Sequence, residues 1–412
     1  MANSFKVIDM VTKEAMRIAH ESLAFIGTVD KQYDPQFKDS GAGKKGSILR
    51  VRMPNAYTRR QGSRVMDVQD QDELSQNFTL ATQDGVDMRF NSAELIQSVN
   101  SGAAFDDLSK NYISPAVKVM VSGIESDFIA LATKATYQTV GTAGAPPTTL
   151  AAVGAARAKL NQGLAPKDGN RFIMADSVTM GGMVEGLKGL FQDSSQIKEQ
   201  YREGMMGRTA MADWYENDRM WTMTNGADVT GTTDAAAAVT DGGTTLSADT
   251  ASPVTYTVGQ VFTIAGVFDC HPETKAAYSH LKQFTNTAGT GSGGDFTISP
   301  ATYLTGPRQN VCSATGAQLA TTDFNSKTLT AIGAVTTGYL QNLMYHKEAY
   351  QFVTADLPLL DDAQKCMRLN QDGLSIRVWM ASDIRNDELL MRLDILYGMT
   401  ALRPEWACRI TN

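Results

Sequence analysis

Residues 225–340 set the strongest limit on how this chain can fold. They are rich in threonine, glycine and alanine and poor in charge, whereas the segments on either side carry a mixed, charged pattern. Short β-type runs recur there at 254–258, 261–267, 283–286, 296–299 and 328–332. Gly259, Gly266, Gly289, Gly291, Gly293 and Gly294 punctuate them. Several short strands at close spacing predict a small antiparallel barrel or sandwich. The charged pattern resumes after Tyr345, so the block reads as a domain inserted into an α/β parent.

The parent is legible on both sides. Over residues 5–26, Val7, Val11, Ala15 and Ile18 share one face, as in an amphipathic helix. Such a helix either packs on its own core or serves as a docking arm. Residues 35–46 form a Gly- and Lys-rich linker. From 47 to 53 the chain alternates: Ile48, Arg50 and Arg52 face one way, Leu49, Val51 and Met53 the other, until Pro54 ends the strand. A partner run at 77–82 follows a long polar tip, which predicts a projecting hairpin. A hairpin of that length is unstable alone and needs a surface to lie on.

Ser114 and Pro115 mark a helix start, Ser as N-cap and Pro at the first helical position. Val117, Met120, Val121, Ile124, Phe128, Leu131 and Ala135 then form one stripe over about six turns. Lys118, Ser122 and Glu125 fall off it. Residues 141–147 break the chain. A second helix carries Leu150, Val153, Ala156 and Leu160 and stops at Gly163. Arg171–Ala175 reads as a short buried strand. Residues 176–191 read as a helix loosened by Gly181, Gly182, Gly186 and Gly189. Near the end, Leu374, Ile376 and Val378 line one face of a strand, and residues 388–397 form a second, more buried one.

Composition excludes several classes. The chain has 412 residues, room for two or three domains. Its net charge of −7 argues against a protein that coats nucleic acid, because phosphate binding needs a basic excess. Enclosing DNA needs no such excess. Cys270, Cys312, Cys366 and Cys408 match no CxxC pair and are expected to be reduced thiols in a protein made in a cytoplasm. Lys6, Asp9, Lys13, Glu14, Arg17 and Glu21 interrupt the first apolar runs, so no signal peptide is expected. No stretch approaches the roughly 20 apolar residues of a membrane span.

No catalytic set, cofactor site or metal site emerges. Cys270-His271 with His280 lacks the second ligand pair of structural zinc. Gly291-Ser292-Gly293-Gly294 is a flexible turn and not a nucleophile elbow. Gly181-Gly182 has neither phosphate-loop spacing nor a following Lys-Ser/Thr pair. The hairpin tip is the best candidate site. It carries Arg59, Arg60 and Arg64, then Asp67, Asp70, Asp72 and Glu73. The arginines alone would suit phosphates, but the acidic block would repel them. Two readings remain open: a solvated face, or mixed-sign pairing with a complementary protein surface.

Two segments carry a family likeness. The first is Gly259-Gln260-Val261-Phe262-Thr263-Ile264-Ala265-Gly266-Val267, extended by His271-Pro272-Glu273-Thr274, Leu281-Lys282-Gln283-Phe284 and Phe296-Thr297-Ile298-Ser299-Pro300. It resembles the inserted β-barrel domain of coat proteins of short-tailed (podovirus-type) tailed phages; Gly259, Phe262, Ile264, Gly266 and Val267 carry the match. The second is the run from Arg392 to Glu405. Its Tyr397-Gly398 step and Arg403-Pro404-Glu405 ending are similar to the closing strand of the same family. The order of elements fits over nearly the whole chain.

The resemblance implies an α+β chain with the tailed-phage major capsid fold: axial and peripheral domains, an extended loop and a spine helix, with an inserted antiparallel β-barrel domain. On that map residues 1–46 are an N-terminal arm, 47–92 the extended β-hairpin loop, and 93–140 the spine helix and peripheral domain. Residues 141–224 begin the axial domain, 225–340 are the inserted barrel, and 341–412 return to both parent domains. The implied role is a structural virion protein, not an enzyme, with no cofactor. It would self-assemble into pentamers and hexamers of an icosahedral shell in the host bacterial cytoplasm. Its partners would be a scaffolding protein during assembly and a portal protein at one vertex. The shell would enclose double-stranded DNA without sequence-specific binding, and no membrane is involved. Relatives bridge capsomers with charged residues in the loop at 231–246. Here only Asp234 and Asp241 are charged, a departure from the family's pattern that leaves the bridging role open. An encapsulin-type nanocompartment shares the fold, but the inserted barrel argues against it. An enzyme with a β accessory domain would need an acid–base cluster, which the sequence does not offer.

Overall fold

The structure, a computed structural model, describes residues 7–32, 48–60, 62, 64–66, 68–69, 73–91, 109–187, 207–236, 239–292, 294–359, 365–371 and 373–412. The chain divides into two units, each assembled from three separate stretches.

The first unit comprises Met1–Val51, Gln76–Phe128 and Tyr350–Thr400. Its centre is a five-stranded sheet in the order Tyr350–Ala355, Glu388–Ala401, Leu374–Asp383, Lys365–Gln371, with Thr82–Asn91 also paired to Glu388–Ala401. Alternation puts Val378, Met391 and Leu393 on the core face, where they are buried. Helix α1 (Val7–Ser22) packs on Lys365–Gln371 and Leu374–Asp383, burying Val11, Ala15 and Ile18 as their spacing predicts. A chain of rings continues this core. Phe25 meets Phe128 at 5.0 Å, Phe128 meets Phe352 at 5.7 Å, and Phe352 stacks on Tyr397 at 5.9 Å.

Three expectations for this part of the chain need correction. The strand predicted at 77–82 is two elements. Ser75–Thr79 pairs with Ile48–Arg52 as the hairpin, and the ten-residue strand Thr82–Asn91 then joins the sheet. Val86, Met88 and Phe90 alternate with the exposed Asp87 and Arg89 there, a half-buried strand pattern. The strand predicted to end at 397 runs on to Ala401 through Gly398. There the backbone of Thr79 passes so close that a Cβ would lie 2.6 Å from its carbonyl oxygen. The long α-helix begins at Ser114 as expected, but Ser114 is not its free N-cap. A π-helical turn, Ser109–Ile113, leads into the helix Ser114–Ala135. Pro115 brings no N–H, and the wider preceding turn lets the chain continue across that gap.

That long helix buries Val117, Met120, Val121, Ile124 and Phe128 as expected, but Leu131 and Ala135 are only half-buried. Glu125, which falls off the stripe, is fully buried. Its carboxylate accepts the Phe25 N–H at 2.5 Å. Phe25 opens a short helical turn, Phe25–Thr28, preceded by Ala24, which has no capping side chain. Glu125 therefore supplies from another helix the acceptor that a local N-cap would give.

The second unit comprises Arg52–Ser75, Ile129–Ala349 and Ala401–Asn412 and holds two sheets. One is mixed, in the order Thr139–Gly141, Ala407–Thr411, Gly338–His346, Arg171–Ala175, Ala212–Glu216, Arg208–Thr209. The helix Leu150–Gln162 lies against it through Val153, Ala156 and Leu160 and ends at Gly163, as read from the sequence. The helix Ser177–Leu187 follows the buried strand Arg171–Ala175. Asp176 caps it by accepting the Val178 and Thr179 N–H groups. The remainder of the predicted 176–191 helix, with Gly189, lies outside the described residues.

The other sheet is antiparallel and drawn wholly from the low-charge block. Its order is Gly243–Ser247, Asp295–Thr302, Ala277–Ala288, Val261–Cys270, Thr328–Ala331, Thr230–Thr232, with Val311–Cys312 also on Val261–Cys270. The two edge strands meet at their ends. Thr233 bridges Ala248, Asp234 N–H donates to the Ser247 carbonyl at 3.0 Å, and Asp249 N–H to the Thr232 carbonyl at 2.9 Å. Tyr256, Phe262, Phe284 and Phe296 stack inside. The strand predicted at 254–258 is absent. Val254 and Tyr256 are buried, which explains the alternation, but the backbone there bonds to Asp228 and Thr290 in loop geometry. Thr230–Thr232 and Gly243–Ser247 were not foreseen, because Gly and Thr in those runs resemble turn residues.

Candidate assembly surfaces

The hairpin tip is held by backbone-type contacts at its base. Met53 N–H donates to the Leu74 carbonyl at 2.8 Å, and the Gln69 amide brackets the Thr58 backbone at 2.9 and 2.7 Å. Beyond that clamp Arg59, Arg60 and Arg64 are exposed. The Arg60 guanidinium donates to the Val65 carbonyl, so it shapes the turn as well as charging it. Glu73 faces Arg52 at 3.7 Å, both exposed, so this carboxylate is already paired within its own chain. Asp67, Asp70 and Asp72 lie outside the described residues.

Charge is not the tip's most unusual property. Val65, Met66 and Val68 are 76 %, 75 % and 77 % exposed, side by side, with Tyr57 and Leu74 also open nearby. Large apolar side chains clustered in water mark an interaction surface. These apolar residues lie among the tip's charges in the sequence.

The residues of the two family-like segments are structural joints. Gly259 has φ +93°, and a Cβ there would lie 2.8 Å from Lys134 Cγ. Its carbonyl accepts from the buried Arg409 at 2.6 Å, and Arg409 also reaches the Lys134 carbonyl and Thr285 Oγ1 at 3.3 Å. Phe262, Ile264 and Val267 are core, and Gly266 takes φ +83° where the strand register shifts. At the C-terminus Tyr397 is buried, and Pro404 opens a 3-10 turn, Pro404–Trp406. Arg403 lies over the Trp406 ring at 4.2 Å, and the Trp406 indole donates to the Gly163 carbonyl at 2.9 Å.

Glu405 adds a charge problem. Burial pushes its carboxyl above the usual range, against smaller opposing effects from Arg403 and Lys282. A raised folded value means that this group's stabilising contribution is complete below the unfolded value, near 4.5, and is lost as pH rises through the folded one. Glu405→Gln is therefore expected to raise the melting temperature at pH 8 and to leave it nearly unchanged at pH 4. Thermal denaturation at the two pH values checks this, and an equal shift at both would contradict it.

Two further buried carboxylates are held in ion pairs. Asp269 binds Lys282 at 2.8 Å and His280 at 3.3 Å. Asp394 binds Arg377 and Arg392, each at 2.6 Å. His271 Nδ1 accepts the Glu273 and Thr274 N–H groups, closing a turn. Among the described residues no group of three His, Cys, Asp or Glu side chains is placed to hold a metal, and no helix is long and apolar enough to cross a membrane.

Comparison with known proteins agrees with a scaffold of this kind. The sequence model of the P22 coat protein, gene protein 5, matches residues 105–409. No curated relative matches. Among solved structures, one from Mycobacterium phage Che8 has 11 % identity and a TM-score of 0.49, covering 94 % of this chain and 90 % of that one. The capsid of Ralstonia phage GP4 has 6 % identity and a TM-score of 0.46, covering 93 % and 87 %. A virus-like particle from Pyrococcus furiosus has 6 % identity and a TM-score of 0.40, covering 98 % of both chains. These scores lie under 0.5, so the assignment rests on the family match, which spans most of the sequence. The chain belongs to the P22 coat protein family and is a major capsid protein, a structural subunit of a phage shell.

Proposed function

We propose that this capsid protein assembles as pentamers and hexamers of an icosahedral shell, with residues 47–92 acting as the extended loop that joins neighbouring subunits. The exposed trio Val65, Met66 and Val68 carries this reading. Burying an aliphatic side chain of that size is worth about 1.5–3 kcal/mol. An exposed ion pair is worth about 0–1 kcal/mol. The tip therefore docks chiefly through its apolar side chains, and Arg59, Arg60 and Arg64 steer and orient it, together with the acidic positions Asp67, Asp70, Asp72 and Glu73.

In the same reading residues 1–46 are an arm, 93–140 the spine helix and peripheral domain, and 141–224 with 341–412 the axial domain and the return strands. Residues 225–340 are an inserted β-barrel; the separate aromatic core and the joined edge strands support this. A scaffolding protein guides closure, a portal protein occupies one vertex, and the shell encloses double-stranded DNA. Assembly takes place in the host bacterial cytoplasm.

Charge reversal at Arg59 and Arg60 tests the steering role. The doubly reversed variant is expected to fold normally and to assemble several-fold more slowly at low salt. The deficit should close at high salt, because screening weakens exposed charges. Light-scattering kinetics read this directly. Assembly at the unaltered rate in low salt would leave the arginines as a solvated face. Normal shells that fail to retain DNA would instead assign them to the nucleic acid.

A further inference from the structure

The exposed trio Val65, Met66 and Val68 needs a receiving surface, and the second unit holds a hollow suited to it. A pocket of about 410 Å³ opens beside the base of the hairpin. Met53 and Leu74 line it from that base, Leu164 and Trp406 from the body, and Tyr278 and Tyr303 from the low-charge block. Its size falls in the range of about 300–1,000 Å³ typical of ligand sites, which are lined mainly by apolar and aromatic side chains.

Leu164 is the least expected of these residues. It follows Gly163 at the end of the helix Leu150–Gln162 and takes φ +59°. Glycine or asparagine adopts that left-handed conformation with less strain. Leu164 is also 40 % exposed, so its side chain adds little to the fold of the single chain. A strained backbone that presents an apolar side chain to a hollow suits a contact with another molecule.

Charge narrows the occupant. Two carboxylates line the pocket: Asp269 is paired with Lys282 at 2.8 Å, and burial holds Glu405 toward its neutral form. Against them stand Lys275, Arg308 and Arg403. Lys275 Nζ is held by the carbonyl oxygens of Pro272, Pro307 and Gln309, and Arg403 lies over the Trp406 ring. The hollow therefore favours an apolar segment that carries a carboxylate. Val65-Met66-Asp67-Val68 is such a segment.

We propose that this pocket receives residues 65–68 of a second copy of the chain, an inference that rests on the loop tip being an interface between subunits. Tip and pocket are different surfaces of one chain, so the contact is heterologous. Each copy inserts its tip into one neighbour and receives the tip of another. A contact of this kind closes into a ring when its rotation permits. Pentamers and hexamers are such rings.

Photo-cross-linking within assembled shells tests this. Met66→benzoylphenylalanine is co-assembled from unlabelled and heavy-isotope-labelled subunits, and the products are read by peptide mass spectrometry. The expected cross-links join differently labelled chains, from position 66 to segments 162–164, 272–278 or 303–309. On a denaturing gel they should form a ladder that extends beyond two chains. No cross-link between chains would overturn both this inference and the loop reading. Cross-links to another chain at a different surface, such as the open sheet face beside Trp379 and Leu390, would overturn this inference alone. If the Met66 variant forms no particles, the probe moves to Leu164, where any partner other than residues 65–68 of another chain overturns the proposal. Leu164→Asn gives an independent reading. The subunit should be at least as stable, because asparagine tolerates the left-handed backbone. Shell yield should fall about tenfold, the effect of one apolar side chain lost from an interface. A yield equal to the parent's would overturn the proposal.

Discussion

Replacing Val65, Met66 and Val68 together by serine is expected to abolish shell formation while leaving the subunit folded. The three side chains are about three-quarters exposed, so they add almost nothing to the stability of the single chain. In a shell each would be buried, at about 1.5–3 kcal/mol per side chain. Every subunit repeats the contact, so a loss that is modest per interface shifts the assembly equilibrium strongly. Unfolding by urea should match the parent protein within about 0.5 kcal/mol, the usual range for surface substitutions. Normal particles from the triple variant would show that the tip is not an interface. A large loss of subunit stability would show that these side chains pack within their own chain.

Asp394→Ala is expected to destabilise the fold by about 3–5 kcal/mol, the range for removing one partner of a buried charge pair. Asp394 is fully buried, and two arginines converge on it at 2.6 Å. Burial alone would raise its carboxyl, but hydrogen bonds from Arg377 and Arg392 outweigh that effect and hold it below the ordinary range. Without the carboxylate, Arg377 stays buried with a charge that its remaining bond to the Pro358 carbonyl cannot offset. The sign with pH follows from the depressed value. The contribution is present above the unfolded value near 3.8 and is lost as pH falls through the folded one. Parent and variant should therefore differ widely in urea at pH 7 and converge in strong acid. A deficit under about 1 kcal/mol at pH 7 would place the stability of this sheet in its apolar face alone.

The sequence was most informative where one physical rule acted alone. The helix Leu150–Gln162 has apolar residues at clean helical spacing and a glycine at its end, and its limits were read correctly. Arg171–Ala175 is a short apolar run and proved to be a buried strand. Reading failed where tertiary contacts supplied what local chemistry lacked. Glu125 falls off the apolar stripe, and only the fold shows that it caps a turn 100 residues away. Residues 254–258 alternate because two of them are buried, yet their backbone bonds are not those of a strand. Thr82–Asn91 is an exception, since its alternation of Val86, Met88 and Phe90 with Asp87 and Arg89 is legible in the sequence. At the tip the sequence interleaves Val65, Met66 and Val68 with charged residues. Burial of Val65, Met66 and Val68 at an interface would contribute more than exposed ion pairs supply. Gly259 stands out both as a turn glycine and by family likeness, and Gly398 by likeness alone. The structure gives their reasons: a positive φ at one and a close backbone approach at the other.

Electron microscopy of the protein, produced together with the proposed scaffolding partner, tests the central claim most directly. A shell subunit must give closed particles of uniform size, built from many copies of this chain. Fields containing only small compact oligomers, with both proteins soluble and intact, would contradict the account.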